Sequence, residues 1–177
     1  MDGTLSGHSL SVHTIGATSG DTDMPVLICY DGSPSAQRAL SVAASALDGA
    51  PMVLLNIWNP PQRVMADSFG VAESEHGPPY QRLEELATNR AAEILSEGEA
   101  EAQRRGLPVT TRQEVNRSSI WKTILDVAEE VDATLIVAGT HGHTAVESGL
   151  LGSVSNALVH HAHRPVLLVP TPDAAAA

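Results

Sequence analysis

The sequence predicts a single α/β domain, doubly wound, with a five-stranded and mainly parallel sheet and four helices. Three observations carry that prediction. Short apolar runs recur at 25–30, Met52–Trp58, 133–138 and 165–169. Between them lie longer stretches with the three-to-four-residue apolar period of a helix, and alternation of the two patterns marks βα units. At 177 residues the chain has the length of one domain.

The elements follow in order. PVLICY at 25–30 reads as a buried strand. Asp31-Gly32-Ser33-Pro34 is a turn, and Ser33 or Ser35 caps the next helix, whose apolar side holds Ala39, Leu40, Ala43, Ala44 and Leu47. Asp48-Gly49 ends it, and MVLLNIW at Met52–Trp58 is the second strand. Residues 59–80 hold four prolines and two glycines without a clear period, which predicts a long loop, a candidate lid. Residues 81–105 form a helix with Leu83, Leu86, Ala87, Ile94 and Leu95 inward, stopped at Gly106-Leu107-Pro108. Val109–Val115 alternates as a strand, and 118–131 is an amphipathic helix with Ile120, Ile124, Leu125 and Val127. ATLIVA at 133–138, a helix over 152–163 and PVLLV at 165–169 complete the set. Helices then cover both faces of the sheet, and ligands bind beyond the carboxyl ends of the strands where strand order reverses.

The folded domain is expected over 24–171, between an N-terminal tail at 1–23 rich in Gly, Ser, Thr, His and Asp and a short alanine-rich tail at 172–177. No basic n-region precedes an apolar run, and no run reaches the ~18–20 apolar residues of a membrane span. A cytoplasmic protein that does not bind membranes is the expectation. Ten Lys and Arg against 21 Asp and Glu give a formal charge of -11, and Lys122 is the sole lysine. No broad basic face can be built from so few cations, which argues against nucleic acid as a partner. The lone cysteine, Cys29, excludes an intrachain disulfide and reads as a small buried hydrophobe.

After the fourth strand runs Gly139-x-x-Gly142, then nine residues, then Gly152-Ser153-Val154-Ser155 opening a helix. Glycines at a strand exit allow positive φ and close backbone approach to a ligand. A helix N-terminus offers unpaired N–H groups to phosphate, and Ser153 and Ser155 add hydroxyls. With LICYDGSPSAQRAL, VLLNIW, LDVAEEVDATLIVAGTHG and GLLGSVSNALVHHAHRPVLLVP, the chain resembles the universal stress protein family from about Met24 to Pro170. G-x2-G-x9-G-S is the pattern of that family's ATP-binding branch.

The resemblance implies a flavodoxin-like fold, ATP with Mg2+ in the cleft, and a stress-response or signalling homodimer formed through the last strand at 165–169. It also implies roles for single residues. Asp31, with Tyr30 beside it, would hold the ribose or adenine side, and Ile57 would line the adenine pocket. Ala138, Gly139, Thr140 and Gly142 would wrap ribose and phosphates, while Gly152, Ser153, Val154 and Ser155 would bind the phosphate tail. On residue pattern alone Asp31 reads first as a turn former or helix-start acid. The family often has a basic residue where His143 stands, and histidine is a cation only under mildly acidic conditions.

No P-loop lysine, paired magnesium carboxylates or water-activating base is visible, so binding without fast hydrolysis is the first reading. A slow ATPase or phosphotransferase using His141 or His143 is the second. An adaptor for AMP or a cyclic nucleotide is the third. Five of eight histidines fall between His141 and His163. They allow a metal pair at His160 and His163 or at His141 and His143, with Glu147 the only acid nearby, but histidine suits a helix C-terminus, and no protein-bound metal is the expectation.

Overall fold

The computed structural model describes residues 24–47, 49–69, 78–143 and 151–171. Both expected tails, Asp48 as a helix stop, residues 70–77 of the expected loop, and Glu147 lie outside the described residues.

Five strands form one sheet: β1 (Val26–Cys29), β2 (Met52–Trp58), β3 (Val109–Val115), β4 (Leu135–Gly139) and β5 (Val166–Val169). Their order is β3-β2-β1-β4-β5, and every pairing is parallel. The fold is the expected flavodoxin-like, doubly wound α/β domain. Its helices are α1 (Pro34–Ala46), α2 (Pro61–Phe69), α3 (Pro78–Arg104), α4 (Ile120–Glu130) and α5 (Ser153–His161).

Among the described residues the helices number five, not the expected four, because part of the expected loop is helical. Pro60-Pro61 and Pro78-Pro79 were the evidence for a loop, yet they sit at the starts of α2 and α3. Proline lacks only an N–H that the first helical turn leaves unpaired, so it initiates a helix as readily as it breaks one. Arg63 and Val64 N–H groups both donate to Pro60 O, at 3.0 and 3.1 Å.

Strand alternation divides the core into two layers. Val26, Ile28, Tyr30, Leu40, Leu54 and Leu95 pack with α1 and α3 on one face. On the other, Leu27, Leu55, Ile124, Val127, Ile136 and Leu158 pack with α4 and α5. Ser33 caps α1 by accepting the Ala36 N–H at 3.2 Å. Arg164 donates to Ala128 O at 2.7 Å and to Ala133 O, fastening the end of α4 to the approach to β4. Among the described residues no helix is long and apolar enough to cross a membrane.

The chain leaves β1 toward β2 and β3, then returns to place β4 on the other side of β1. That reversal opens a crevice beyond the carboxyl ends of β1 and β4, the general ligand position in such sheets.

Candidate nucleotide-sized cavity at the strand reversal

A cavity of about 410 Å³ occupies the crevice. One end is apolar, walled by Cys29, Leu55, Ile57, Ile120, Ile124, Ala138 and Val154. The other is polar, formed by Asp31, His141, Gly142, His143, Gly152, Ser153 and Ser155. A flat apolar body with a charged or polar tail fits such a divided space.

Of the sequence-predicted residues, Tyr30, Asp31, Ile57, Ala138, Gly139, Gly142, His143, Gly152, Ser153, Val154 and Ser155 all border this cavity. Thr140 does not. Its N–H donates to Val169 O at 3.0 Å, its carbonyl accepts the Gly152 N–H at 2.9 Å, and its hydroxyl lies 3.1 Å from His141 Nδ1. Thr140 thus ties β4, β5 and the start of α5 together. Tyr30 borders the cavity, but its ring packs under α3, where a Cβ on Gly98 would stand 2.6 Å from Cε1. Burial raises the Tyr30 phenol, and the charges of Glu97, Glu101 and Asp31 raise it further.

The three motif glycines do not use the left-handed backbone that the sequence suggested. Gly139, Gly142 and Gly152 are absent from the positive-φ residues, and Gly152 has φ -60°. Their reason is space. A Cβ on Gly139 would collide with Ser35, one on Gly142 would stand 2.9 Å from Asp31 Oδ2, and one on Gly152 3.1 Å from Thr140 O. These glycines let α1, the β4 exit and α5 close around one point.

Asp31 combines both roles weighed for it. Oδ1 accepts the Ser33 N–H at 2.9 Å, an Asx-type turn before α1, while the residue also lines the cavity. His143 Nε2 lies 2.7 Å from Asp31 O, closing the mouth between the β1 and β4 loops. At the start of α5, the cap residue Gly152 has no side chain to satisfy the first N–H groups, and no acid sits in the first turn. Helix N-termini left without a side-chain cap are where proteins commonly hold anions. Ser153 is exposed there. Ser155 is buried, and its hydroxyl is shared between Gly139 O at 2.8 Å and Thr140 O at 3.1 Å.

Among the described residues no Lys or Arg lines the cavity, and no three His, Cys, Asp or Glu converge as metal ligands. His160 and His161 fall in the last turn of α5, and His161 stacks on Trp121 with ring centroids 4.6 Å apart. Burial pushes the Cys29 thiol up to about 12, with the Asp31 charge adding to the rise. Sequence reasoning missed Cys29, Ala36, Leu55, Asn59, Ile120 and Ile124 as cavity residues. Strand alternation from Ile57 to Leu55, and the i, i+4 pair Ile120 and Ile124, carried the signal for three of these positions in part; Ala36 and Asn59 had none.

Residues 24–170 match the family model described as the universal stress protein family. The chain is 32% identical over 166 residues to a universal stress protein of Mycolicibacterium smegmatis, covering 93% of this chain and 51% of that one. It thus spans about half the length of the first curated relatives it matches. A universal stress protein family structure from Burkholderia pseudomallei superposes with TM-score 0.63 at 25% identity, covering 85% of this chain and 98% of that one. The universal stress protein of Archaeoglobus fulgidus in complex with dAMP gives TM-score 0.58 at 24% identity, covering 84% and 98%.

Proposed function

The chain belongs to the universal stress protein family, and we propose that it binds an adenine nucleotide, ATP with Mg2+, in the cavity at the strand reversal. One observation carries the reading: a single space joins an apolar slot to the uncapped N-terminus of α5. The slot takes the base and the helix end takes phosphate. Phosphate charge is met by backbone N–H groups, Ser153 and the helix dipole in place of lysine or arginine, which suits a chain of net charge -11. The dAMP carried by the Archaeoglobus protein supports the same chemistry here.

In this reading Asp31 holds the ribose side, and Ile57 and Ala138 flank the base. Gly139 and Gly142 give the backbone its close approach, and His143 closes the mouth. Ser153 and Val154 supply phosphate donors, while the Gly152 N–H is held by Thr140 O and the glycine serves only by leaving space. Ser155 and Thr140 act from behind, since their polar groups already hold the β4–α5 junction. Mg2+ arrives with the nucleotide and takes most of its ligands from phosphate oxygens. β5 is an edge strand of half-buried Val166, Leu167 and Leu168, and a second copy covering that edge gives the homodimer. Occupancy then changes conformation or partner surface as a signal, without fast hydrolysis.

Titration calorimetry with ATP, AMP and cyclic AMP, with and without Mg2+, tests the reading, and sedimentation tests the dimer. Saturable ATP binding that Gly152→Val abolishes is the expected result. Failure of all three nucleotides to bind would overturn it.

A further inference from the structure

The rim of the apolar slot contains a side-chain pair to which nucleotide binding as described assigns no role. Among the described residues, two buried side-chain polar atoms lack a hydrogen-bond partner, Asn116 Oδ1 and Ser119 Oγ. Both lie in the turn between β3 and α4. Unpartnered buried polar atoms are few in folded proteins, so two within four residues mark a place kept polar for something other than stability.

Asn116 is 6% exposed. Its backbone N–H donates to Trp58 O at 2.8 Å, and its side-chain Nδ2 donates to Asn59 Oδ1 at 2.7 Å. That is the one side-chain hydrogen bond Asn116 makes to the described residues. Asn59 follows Ile57 by two residues, is exposed and lines the cavity. With its oxygen held by Asn116, the Asn59 amide has two N–H donors left for the cavity. The slot beside it is walled by Leu55, Ile57, Ile120 and Ile124, whose side chains offer a base no hydrogen bond. Any side-chain hydrogen bond to a base in the slot therefore comes from its rim, in addition to what the backbone at the end of β2 provides.

We propose that Asn59, held by Asn116, reads the base: its amide N–H donates to a ring-nitrogen acceptor on the edge of a purine seated against Ile57 and Ile120. The inference rests on the nucleotide reading and deepens it. Asn59 is the specificity residue and Asn116 the positioning residue behind it. A site built to donate a hydrogen bond rejects an analogue that lacks the acceptor, because its donor is then left unpaired.

The test uses the full chain and three probes, ATP, 1-deaza-ATP and 7-deaza-ATP, in calorimetric titration. One of the two deaza analogues is expected to bind roughly ten-fold more weakly than ATP. Asn59→Asp keeps the size and an acceptor for Asn116 but removes both donors, so ATP and that analogue should bind it equally. Asn116→Ala should shrink the same ratio toward one, a change that general destabilisation would not produce. If both analogues bind the unaltered chain as tightly as ATP, or the ratio survives in N59D, the base-reading role is overturned while nucleotide binding stands. A ratio that survives in N116A removes the positioning role. No ATP binding by the unaltered chain removes the nucleotide reading, and this subsite with it.

Discussion

Gly139 and Ser35 approach so closely that no side chain fits between them: a Cβ on Gly139 would fall on Ser35 Oγ and stand 2.7 Å from Ser35 Cβ and 2.9 Å from its carbonyl carbon. Ser35 Oγ in turn donates to Val169 O at 3.4 Å. The first turn of α1 is thereby seated on the ends of β4 and β5. Gly139→Ala should destabilise the domain by about 1–3 kcal/mol through overpacking, with or without nucleotide. Adding Ser35→Gly should recover part of that loss, although the backbone contact remains. Denaturant unfolding of the two single variants and the double variant measures this, and a G139A variant as stable as the parent would refute the packing role.

The two serines at the start of α5 should separate cleanly. Ser155→Ala leaves the Gly139 and Thr140 carbonyls without their buried hydroxyl donor and should cost about 1–2 kcal/mol of stability. Ser153 is exposed, and Ser153→Ala should change stability by less than about 0.5 kcal/mol while weakening ATP several-fold. Thermal unfolding and calorimetry on both variants check the contrast. Equal behaviour of the two would mean that the roles assigned to them are wrong.

His143 sits over Asp31 O at the mouth, the position where a cation would meet phosphate. His143→Ala should open the contact between the two loops and weaken ATP several-fold, which calorimetry checks. Unchanged affinity in H143A would remove His143 from the site.

Cys29 should be close to inert as a nucleophile. With a thiol pKa of about 12, only about one molecule in ten thousand carries thiolate at pH 8, against roughly a quarter for a free cysteine. Iodoacetamide should therefore label the native protein about a thousand-fold more slowly than the denatured chain. The same shift has a stability consequence. A pKa raised on folding contributes stability in full below the unfolded value near ~8.5, and loses it as pH climbs toward the folded value. Stability should fall between pH 9 and pH 12, and Cys29→Ala should lose less over that window. Tyr30, also raised, acts in the same direction. Rapid native labelling at pH 8 would contradict the burial.

β1, β2, β4 and β5 were legible because burial on a parallel sheet writes apolar runs, and β3 by its alternation, whereas Leu83 and Leu86, expected on the inner side of α3, are exposed. The cavity was legible at its polar end, where Gly139, Gly142, Gly152 and Ser153 carry a spaced motif. Its apolar end was not, since Leu55, Ile120 and Ile124 look like ordinary core residues until the crevice removes their neighbours. Proline misled for a specific reason: Pro61 and Pro78 look the same as helix starters and as loop residues without the chain that follows them in space. Gly139, Gly142 and Gly152 border the cavity, but the left-handed backbone expected of them is not what places them there. Sequence gives the residue without a side chain, and only the fold reveals whether backbone angle or the proximity of Ser35 demanded it.

The pairing of β1 with β4, Val26 against Leu135, sets the order in which the protein can become functional during synthesis. Asp31 meets His143 across 112 positions of sequence. At translation rates of ~5–20 residues per second, roughly 6–20 s separate the emergence of one wall of the cavity from that of the other. Until β4 and α5 arrive, β1 has one strand neighbour, and its far edge stays open to other chains. Ligand therefore has nothing to bind while the first three strands assemble. It can stabilise only the finished domain.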